Sequence, residues 1–244
     1  MKDVIFTIAA QKRLTDNVYE IRLTGDTSAI TRPGQFVNLK LEGLFLRRPL
    51  SVCDLDGDTL TLIYKVVGRG TALLRGMTPG QEIPVLTGLG NGYETALSGD
   101  MPLLIGGGVG VPPLYLLAKR LCAEGKTVFA VLGFNTAAEI FYADRFRDLG
   151  CNLAVTTADG SFGIKGFVTD ALPENYTHVY TCGPEPMLRA VYRKITTGGS
   201  FSFEKRMGCG FGACMGCSCK TIAGYKRICK EGPVLEKEEI LWED

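Results

Sequence analysis

Five cysteines near the end of the chain have a spacing that suits metal chemistry. Cys209, Cys214 and Cys217 are arranged as C-x4-C-x2-C, and Cys229 follows after eleven intervening residues. This is the plant-type spacing of thiolates that hold an iron–sulfur cluster, in which the fourth ligand comes from further along the chain. Glycines between the cysteines permit unusual backbone angles and let N–H groups approach sulfur closely. These glycines are Gly208, Gly210, Gly212 and Gly216.

Zinc is the standard alternative for a group of four cysteines. Zinc ribbons usually pair two C-x2-C knuckles, whereas only Cys214 and Cys217 form such a knuckle here. We therefore favour a cluster held by Cys209, Cys214, Cys217 and Cys229. Cys219 lies two residues beyond Cys217, so in an extended loop it would point away from the same centre, and we leave it out of the ligand set.

Two turns upstream of the cysteines have the composition of phosphate-binding loops. The first follows an apolar strand and opens a helix, where glycine lets the backbone approach a pyrophosphate and the helix N-terminus adds positive potential. It is not the Rossmann G-x-G-x-x-G pattern, so alone it is a weak signal. A second turn of the same kind, in which Gly-Pro follows a cysteine, strengthens the prediction of a nucleotide site. The alternative role for this cysteine is that of a buried packing residue. The residues are Gly106, Gly107, Gly108 and Gly110, then Cys182, Gly183 and Pro184.

Two motifs in the first third of the chain suit a cofactor phosphate. An arginine beside a rigid proline and a hydroxyl makes an anion clamp, although an Arg-Arg pair is more often a solvated face. Further on, a strand gives way to glycines and a threonine at the start of a short helix, whose free N–H groups can hold a phosphate. The residues are Arg48, Pro49, Leu50 and Ser51 in the first motif, and Ile63, Tyr64, Lys65, Gly70 and Thr71 in the second.

The secondary-structure elements that must position these motifs follow two different patterns along the chain. Up to about residue 99, short alternating or β-branched runs separated by turn residues predict a small antiparallel β-barrel with a helical insert at 71–77. From residue 100, strand, glycine turn, helix and strand repeat, which predicts an α/β domain with a parallel sheet. Residues 196–200 read as a linker. The predicted domains are therefore a barrel (1–99), a nucleotide-binding α/β domain (100–198) and a cysteine module (199–244).

The predicted elements of the barrel are strands at 4–10, 18–23, 36–41, 59–67 and 82–86. The predicted elements of the α/β domain are strands at 103–105, 127–132, 153–157 and 179–181, and helices at 114–122, 142–149, 167–171 and 185–195.

Composition narrows the class of protein. The net charge of +1 is too small to indicate the basic surface that binds nucleic acid. Residues 101–118 carry no charge, but three consecutive glycines and two consecutive prolines within them argue against a membrane span. Nine cysteines without a signal peptide favour reduced thiols in the cytoplasm. His178 is the only histidine, so we expect it to be structural and expect no Ser–His–Asp triad.

The order of the phosphate motifs resembles the ferredoxin reductase superfamily, in which an Arg-x-x-Ser strand and a later Gly-Thr turn hold FAD on a barrel. The resemblance implies that the two later turns flank a nicotinamide nucleotide, with Cys182 near the nicotinamide. A 2′-phosphate would need a basic partner near the end of the second strand. Residues 133–142 offer none and contain Glu139, so NAD is favoured over NADP. Hydride transfer between nicotinamide and flavin needs no catalytic base from the chain.

The cysteine-rich tail carries a more specific family resemblance than the phosphate motifs do. Residues 202–219, followed by 225–234, resemble the electron-transfer subunits of NAD-dependent (B-type) dihydroorotate dehydrogenase, and the resemblance extends along the whole chain. It implies a 2Fe–2S cluster, FAD and NAD, and a partner subunit that contains FMN and oxidises dihydroorotate to orotate in pyrimidine biosynthesis. It also implies a heterotetramer of two copies of each subunit, with electrons passing from FMN through the cluster and FAD to NAD.

Two other interpretations stay open. The first is the reductase subunit of a different NAD(P)H–FAD–iron–sulfur complex, of the ferredoxin, glutamate synthase, sulfite reductase or hydrogenase type. Residues 225–233 distinguish this interpretation and favour the dihydroorotate enzyme. The second is a zinc-stabilised adaptor without cofactors, which the two intact flavin motifs make improbable.

Overall fold

The N-terminal part of the chain forms a closed antiparallel barrel. The structure, a computed structural model, describes residues 1–242. Its first strands are β1 (Lys2–Arg13), β2 (Val18–Thr24), β3 (Phe36–Leu39), β4 (Arg48–Asp56), β5 (Thr59–Lys65) and β6 (Glu82–Leu89), with α1 (Arg69–Arg75) between the last two. They close in the order β1-β2-β5-β4-β3-β6. Five of these strands and the helix correspond to elements predicted from the pattern of apolar residues. The sixth strand, β4, contains the arginine motif and was expected only from the family resemblance.

The second part is built on a larger sheet. Its strands are β7 (Leu103–Gly107), β8 (Phe129–Phe134), β9 (Asn152–Thr157), β10 (Ile164–Lys165), β11 (Val179–Cys182), β12 (Gly199–Ser202) and, after a hairpin of β13 (Ser218–Thr221) and β14 (Gly224–Arg227), β15 (Val234–Glu236). Its helices are α2 (Pro112–Ala123), α3 (Ala143–Asp148) and α4 (Glu185–Lys194). Among the described residues the sheet order is β10-β9-β8-β7-β11-β12-β15, parallel except for β15.

Two sequence-based expectations need correction. The helix expected at 167–171 is only a 3₁₀ turn over Val168–Asp170. The linker expected at 196–200 is wrong in its second half, because Gly199 begins β12, which pairs with β11 and is buried along its length. Strands on both sides of the predicted boundary at 198/199 thus share one sheet. The cysteine module is continuous with the nucleotide-binding sheet through β12 and β15.

The barrel and the α/β domain share one apolar core. Cys53 and Ile63 of the barrel belong to the same buried cluster as Leu114 of α2. Two polar contacts accompany this core. Lys119 Nζ lies 2.9 Å from an Asp54 carboxylate oxygen, and the Tyr142 hydroxyl donates to the buried Glu20 carboxylate at 2.9 Å. Burial of a continuous apolar surface fixes the two units relative to each other.

The uncharged segment 101–118 folds as β7, a glycine turn and the first part of α2. The glycines and prolines within it predicted such an interruption. Within residues 1–242 we find no helix with the length and apolar character needed to cross a membrane.

The only histidine lies in a buried polar network between strands. His178 is 7% exposed, and its Nε2 lies 2.9 Å from the Ser200 hydroxyl oxygen. That hydroxyl donates to the Glu236 carboxylate, at 2.9 and 3.0 Å from its two oxygens. A serine that donates to a carboxylate can only accept from the ring, so Nε2 carries the proton. Burial lowers the pKa of His178 and raises the pKa of Glu236. The network joins β11, β12 and β15.

We expect the contribution of His178 to stability to decrease as the pH falls from about 7 to 5. With the folded pKa of His178 below its unfolded value of about 6.5, the unfolded chain binds the proton first, so stability is lost below that pH. The limiting slope is about 1.4 kcal/mol per pH unit for one proton. His178→Gln keeps an N–H donor but does not titrate, so its urea-unfolding free energy should depend less on pH. Parallel pH curves for the two proteins would contradict this.

Candidate functional site

The two predicted flavin motifs meet in space. Arg48 begins β4 and Gly70 lies in the first turn of α1. A Cβ placed on Gly70 would lie 2.2 Å from Arg48 Nε and 2.8 Å from its Cδ. Only glycine therefore lets the arginine side chain cross this turn. The fold brings together two motifs that are separate in the sequence.

The structure distinguishes between the two adjacent arginines. Arg47 forms a two-point ion pair with Asp3, with nitrogen–oxygen distances of 3.0 and 2.8 Å. Arg48 donates instead to the backbone carbonyls of Leu46, at 2.6 Å, and Arg47, at 3.2 Å. Within residues 1–242 no carboxylate neutralises Arg48 by an ion pair, so its charge is available for an anion such as a cofactor phosphate.

The other residues of the arginine motif alternate across β4. Leu50 packs against the barrel core. Because successive side chains of a strand point to opposite faces, Pro49 and Ser51 lie on the outer face of the barrel. Both are half-buried there. By the same alternation Arg48, which is opposite Leu39 in β3, lies on the face of Leu50 and not with Pro49 and Ser51.

The second flavin motif has mainly a backbone role. Ile63 is buried in the core shared with the α/β domain, and the buried Tyr64 hydroxyl donates to Gln11 Oε1 at 3.0 Å. The Thr71 hydroxyl accepts from the N–H groups of Val67 and Gly68, at 3.0 and 3.3 Å, and so shapes the turn. These three side chains are committed to the protein; Lys65, at the end of β5, is half-exposed.

The two predicted nucleotide turns also lie together. They follow β7 and β11, which are adjacent parallel strands with Gly106 opposite Cys182. A Cβ on Gly110 would lie 2.2 Å from the Cys182 carbonyl oxygen, and one on Gly107 would lie 2.5 Å from Met187 Sδ. In open α/β sheets, ligands bind in the crevice outside the carboxyl ends of strands. The seven predicted residues lie at or directly after the carboxyl ends of β7 and β11: Gly106, Gly107, Gly108, Gly110, Cys182, Gly183 and Pro184.

Cys182 carries no negative charge in this crevice. Burial, with a smaller contribution from the nearby Glu204 carboxylate, raises the pKa of its thiol to about 12. The side chain is 6% exposed and stays protonated at neutral pH. It offers a small neutral surface rather than a nucleophile. Glu139, the residue that favours NAD in the sequence, follows β8, and its carboxylate accepts from the Asn135 amide at 2.9 Å.

The cysteine loop is shaped by N–H groups directed at sulfur. The N–H groups of Ala213 and Cys214 donate to Cys209 Sγ at 3.2 and 3.4 Å, and Cys209 N–H donates to Cys214 Sγ at 3.4 Å. Cys229 N–H donates to Cys217 Sγ at 3.4 Å. Burial alone would raise the pKa of Cys209, but these donors and the Phe211 N–H outweigh it and lower the pKa to about 6. These donors favour the thiolate of Cys209, whereas burial and the neighbouring Cys217 thiol raise the pKa of Cys229 to about 12.

The N–H contacts to sulfur group the four predicted ligand cysteines into two pairs. Within residues 1–242 no group of three or more His, Cys, Asp or Glu side chains is arranged to hold a metal ion. The sulfur contacts instead define two pairs, Cys209 with Cys214 and Cys217 with Cys229. A 2Fe–2S cluster has two irons joined by sulfides, which leaves two thiolates for each iron. Four thiols in two pairs therefore match its needs.

The loop is buried on one side and open on the other. Cys217 and Cys229 are 2% exposed, whereas Cys214 is exposed. Beside Cys214, the side chains of Phe211 and Met215 are 45% and 53% exposed. Exposed apolar side chains next to a reactive group indicate a surface for a partner.

Cys219, which the sequence analysis left out of the ligand set, lies on β13. It lines a separate cavity of about 370 Å³ together with Phe203 and Trp242. Its exclusion from the ligand set stays a prediction.

Sequence reasoning missed the barrel residues that hold the cysteine module. The Asn38 amide donates to the Cys209 carbonyl at 3.3 Å. Asn91 accepts from Val234 N–H at 3.1 Å and donates to the Val234 carbonyl at 2.8 Å. A buried asparagine in an otherwise apolar strand was the available signal for Asn38. Nothing in the sequence said which partner it had.

Comparison with known proteins decides the family. Residues 104–193 match the oxidoreductase NAD-binding domain, and residues 204–241 match the iron–sulfur cluster binding domain of dihydroorotate dehydrogenase B. The electron transfer subunit of dihydroorotate dehydrogenase B (NAD(+)) from Geobacillus sp. (strain WCH70) is 42% identical over 256 residues, covering 99% of each chain. The chain belongs to this family. The family resemblance expected from the tail is confirmed.

Other members of the family give the same result. The electron transfer subunit from Bacillus mycoides (strain KBAB4) is 42% identical over 251 residues, which cover 96% of each chain. Proteins of the dihydroorotate dehydrogenase B electron transfer subunit family are by name parts of a complex, which implies a partner subunit.

Similarity to solved structures confirms the predicted fold of this chain. An NADH-dependent reduced ferredoxin-NADP oxidoreductase is similar with a TM-score of 0.87 at 31% identity, covering 97% of this chain and 90% of that one. A ferredoxin NADP⁺ reductase from Neisseria gonorrhoeae with bound FAD and NADP has a TM-score of 0.69 at 19% identity, covering 80% and 90%. The second likeness shows the fold alone.

We expect Gly70→Ala to weaken FAD binding without unfolding the barrel. The new methyl group would displace the flexible Arg48 side chain, and loss of one charge-assisted hydrogen bond to a phosphate corresponds to about 10- to 100-fold in affinity. Gly68→Ala is the matched control, because a Cβ there meets nothing within 4 Å. Fluorescence titration of FAD into each protein measures the effect. Equal affinities for the two variants would contradict the role of Arg48.

Proposed function

We propose that the chain is the electron transfer subunit of an NAD-dependent dihydroorotate dehydrogenase. It would pass electrons from the FMN of a catalytic subunit, which oxidises dihydroorotate to orotate in pyrimidine biosynthesis, through a 2Fe–2S cluster and FAD to NAD. The geometric observation that carries this is the contact of the cysteine loop with β3, the strand that pairs with the arginine-motif strand β4. The full-length similarity to named electron transfer subunits agrees with it.

The three sites have distinct roles. FAD, when bound, exchanges electrons in pairs with a nicotinamide and singly with a 2Fe–2S cluster, so it belongs between them. Arg48 holds the FAD phosphate and Gly70 leaves room for that arginine. The two glycine turns after β7 and β11 hold the NAD, with the neutral Cys182 beside the nicotinamide. Cys209, Cys214, Cys217 and Cys229 hold the cluster.

The proposal includes the remaining sequence-based assignments. The FAD site comprises Arg48, Pro49, Leu50, Ser51, Ile63, Tyr64, Lys65, Gly70 and Thr71. The domains are 1–99, 100–198 and 199–244. The partner contains FMN, the complex has two copies of each subunit, and it works in the cytoplasm. The open edge of the cysteine loop, at Cys214, faces that partner.

A second candidate is the reductase subunit of another NAD(P)H–FAD–iron–sulfur complex. The likeness to the reduced ferredoxin-NADP oxidoreductase favours it, because that structure has the same fold over nearly the whole chain. Identity to that protein is 31%, whereas identity to the dihydroorotate dehydrogenase B subunits is 42% over at least the same share of the chain. The first candidate therefore has the stronger claim.

Coexpression with a catalytic dihydroorotate dehydrogenase subunit tests the function. We expect the two chains to copurify as a complex with flavin and iron–sulfur absorbance that NADH bleaches under anaerobic conditions. We also expect NAD-dependent oxidation of dihydroorotate by the complex and not by this chain alone. Failure of the pair to associate would refute the assignment, while reduction of ferredoxin in place of orotate chemistry would favour the second candidate.

The cysteines provide a test of the ligand set. Cys214→Ser should abolish the cluster absorbance and leave FAD bound, because a serine hydroxyl is a poor substitute for a thiolate and Arg48 lies in a different part of the site. Cys219→Ser, on the adjoining strand β13, is the matched control and should keep the cluster. Iron and sulfide content, with the visible spectrum, measure both. A cluster retained in Cys214→Ser, or lost in Cys219→Ser, would overturn the assignment.

A further inference from the structure

One peptide group of the cysteine loop is held at both ends. Its carbonyl belongs to Gly212 and its N–H belongs to Ala213. The N–H donates to Cys209 Sγ at 3.2 Å, and the carbonyl accepts from Arg227 Nη1 at 2.6 Å. The C=O and N–H of a trans peptide lie in one plane and point in opposite directions. A cationic donor and a cysteine sulfur therefore lie at opposite ends of a single dipole.

Arg227 is held in place by Glu231. Its Nε and Nη2 atoms both donate to the Glu231 carboxylate, with Nε at 3.1 and 2.9 Å from the two oxygens. The same carboxylate accepts from the Arg227 backbone N–H at 2.8 Å. Glu231 thus takes one edge of the guanidinium and leaves Nη1 for the Gly212 carbonyl. The rigid planar fork of arginine permits both contacts at once.

The turn that contains this ion pair also contains a predicted cluster ligand. The Arg227 carbonyl accepts from the N–H groups of Lys230 and Glu231, at 2.9 and 2.8 Å, so the chain turns tightly around Cys229. Cys229 N–H donates to Cys217 Sγ at 3.4 Å. Arg227 therefore connects the turn that bears the second sulfur pair to the loop that bears the first.

A donor at the carbonyl end of a peptide strengthens the hydrogen bond made by its N–H end. Hydrogen bonds in a chain polarise one another, and bonds from a charged donor are stronger than those from a neutral one. Hydrogen bonds to the sulfurs are among the factors that set the potential of an iron–sulfur cluster. One-electron reduction adds one negative charge to such a cluster, so a stronger N–H donor at a ligand sulfur favours the reduced form.

We infer that Arg227, held by Glu231, raises the reduction potential of the 2Fe–2S cluster through the Gly212–Ala213 peptide. This inference rests on the proposed function, because it requires a cluster with Cys209 as a ligand. Arg227 is a positioning residue, which orients and polarises the peptide whose N–H points at the sulfur. Glu231 balances its charge, so the effect passes through the peptide and not through a net charge.

A double variant without a change of net charge tests the inference in the full chain loaded with FAD and cluster. Arg227→Met combined with Glu231→Met removes both charges together and deprives the Gly212 carbonyl of its donor. We expect the cluster to hold its added electron about two- to tenfold less tightly, the equivalent of one net hydrogen bond. At about 59 mV per factor of ten for one electron, the midpoint potential should become about 20 to 60 mV more negative. The electron paramagnetic resonance spectrum of the reduced cluster should change as well.

Lys226→Met combined with Glu239→Met is the matched control. It removes a second ion pair that starts from β14, again without a change of net charge. A general loosening of the hairpin would lower the melting temperature and shift the cluster spectrum in both double variants. We expect the control to keep the wild-type potential and spectrum.

Arg227→Lys keeps the positive charge and loses the fork. A single ammonium group cannot reproduce the two-edged contact with Glu231 and Gly212, so we expect a potential between those of the wild-type chain and the Arg227/Glu231 double variant. If that double variant loses its cluster, the potential of Arg227→Lys decides, and a wild-type value there would count against the inference.

The remaining outcomes separate this inference from the proposed function. A wild-type potential and spectrum in the Arg227/Glu231 double variant, or equal shifts in both double variants, would overturn the inference and leave the proposed function intact. A wild-type chain that binds no cluster would overturn both.

Discussion

The short strand β3 carries the constraint on which the rest of the structure depends. Its inward residues, Val37 and Leu39, complete the barrel core. Its outward residues meet the cysteine module: Phe36 belongs to the apolar cluster that contains Cys217 and Cys229, and Asn38 bonds to Cys209. Four residues must therefore satisfy a closed barrel on one side and a metal-binding loop on the other. Because the strand period is two, a slip of one residue would exchange these roles and lose both contacts.

A second recurring feature is the close approach of a glycine backbone to another segment of the chain. At Gly70, Gly110 and Gly210 an added Cβ would lie within 2.3 Å of another part of the chain: Arg48, Cys182 or Asn38 respectively. Each contact joins two segments that are distant in sequence, and each lies at a different predicted cofactor site. Glycine serves here through its missing side chain as much as through backbone freedom, since only Gly210 of the three has a left-handed φ.

Much of this was available from the sequence. Alternating apolar runs predicted most of the barrel, and the change to strand–turn–helix repeats near residue 100 predicted the parallel sheet, because each pattern reflects a different periodicity of burial. The continuation of that sheet into the cysteine module was not predictable. Gly199 and Ser200 look like a linker, but they are buried as a strand because β11 and β15 supply backbone partners on both sides. Local composition does not encode such partners.

By itself, the sequence determined the kinds of chemistry, since residue types and short spacings suffice for them: the cysteine quartet, the two phosphate motifs, the two glycine turns and the family resemblance. Tertiary structure decided which of those side chains face a ligand. It neutralised Arg47 with Asp3, left Arg48 without a carboxylate partner among residues 1–242, and turned Tyr64 towards Gln11. It also joined Asn38 of the barrel to Cys209 of the cysteine loop. These outcomes depend on contacts between segments far apart in the chain, which no local pattern contains.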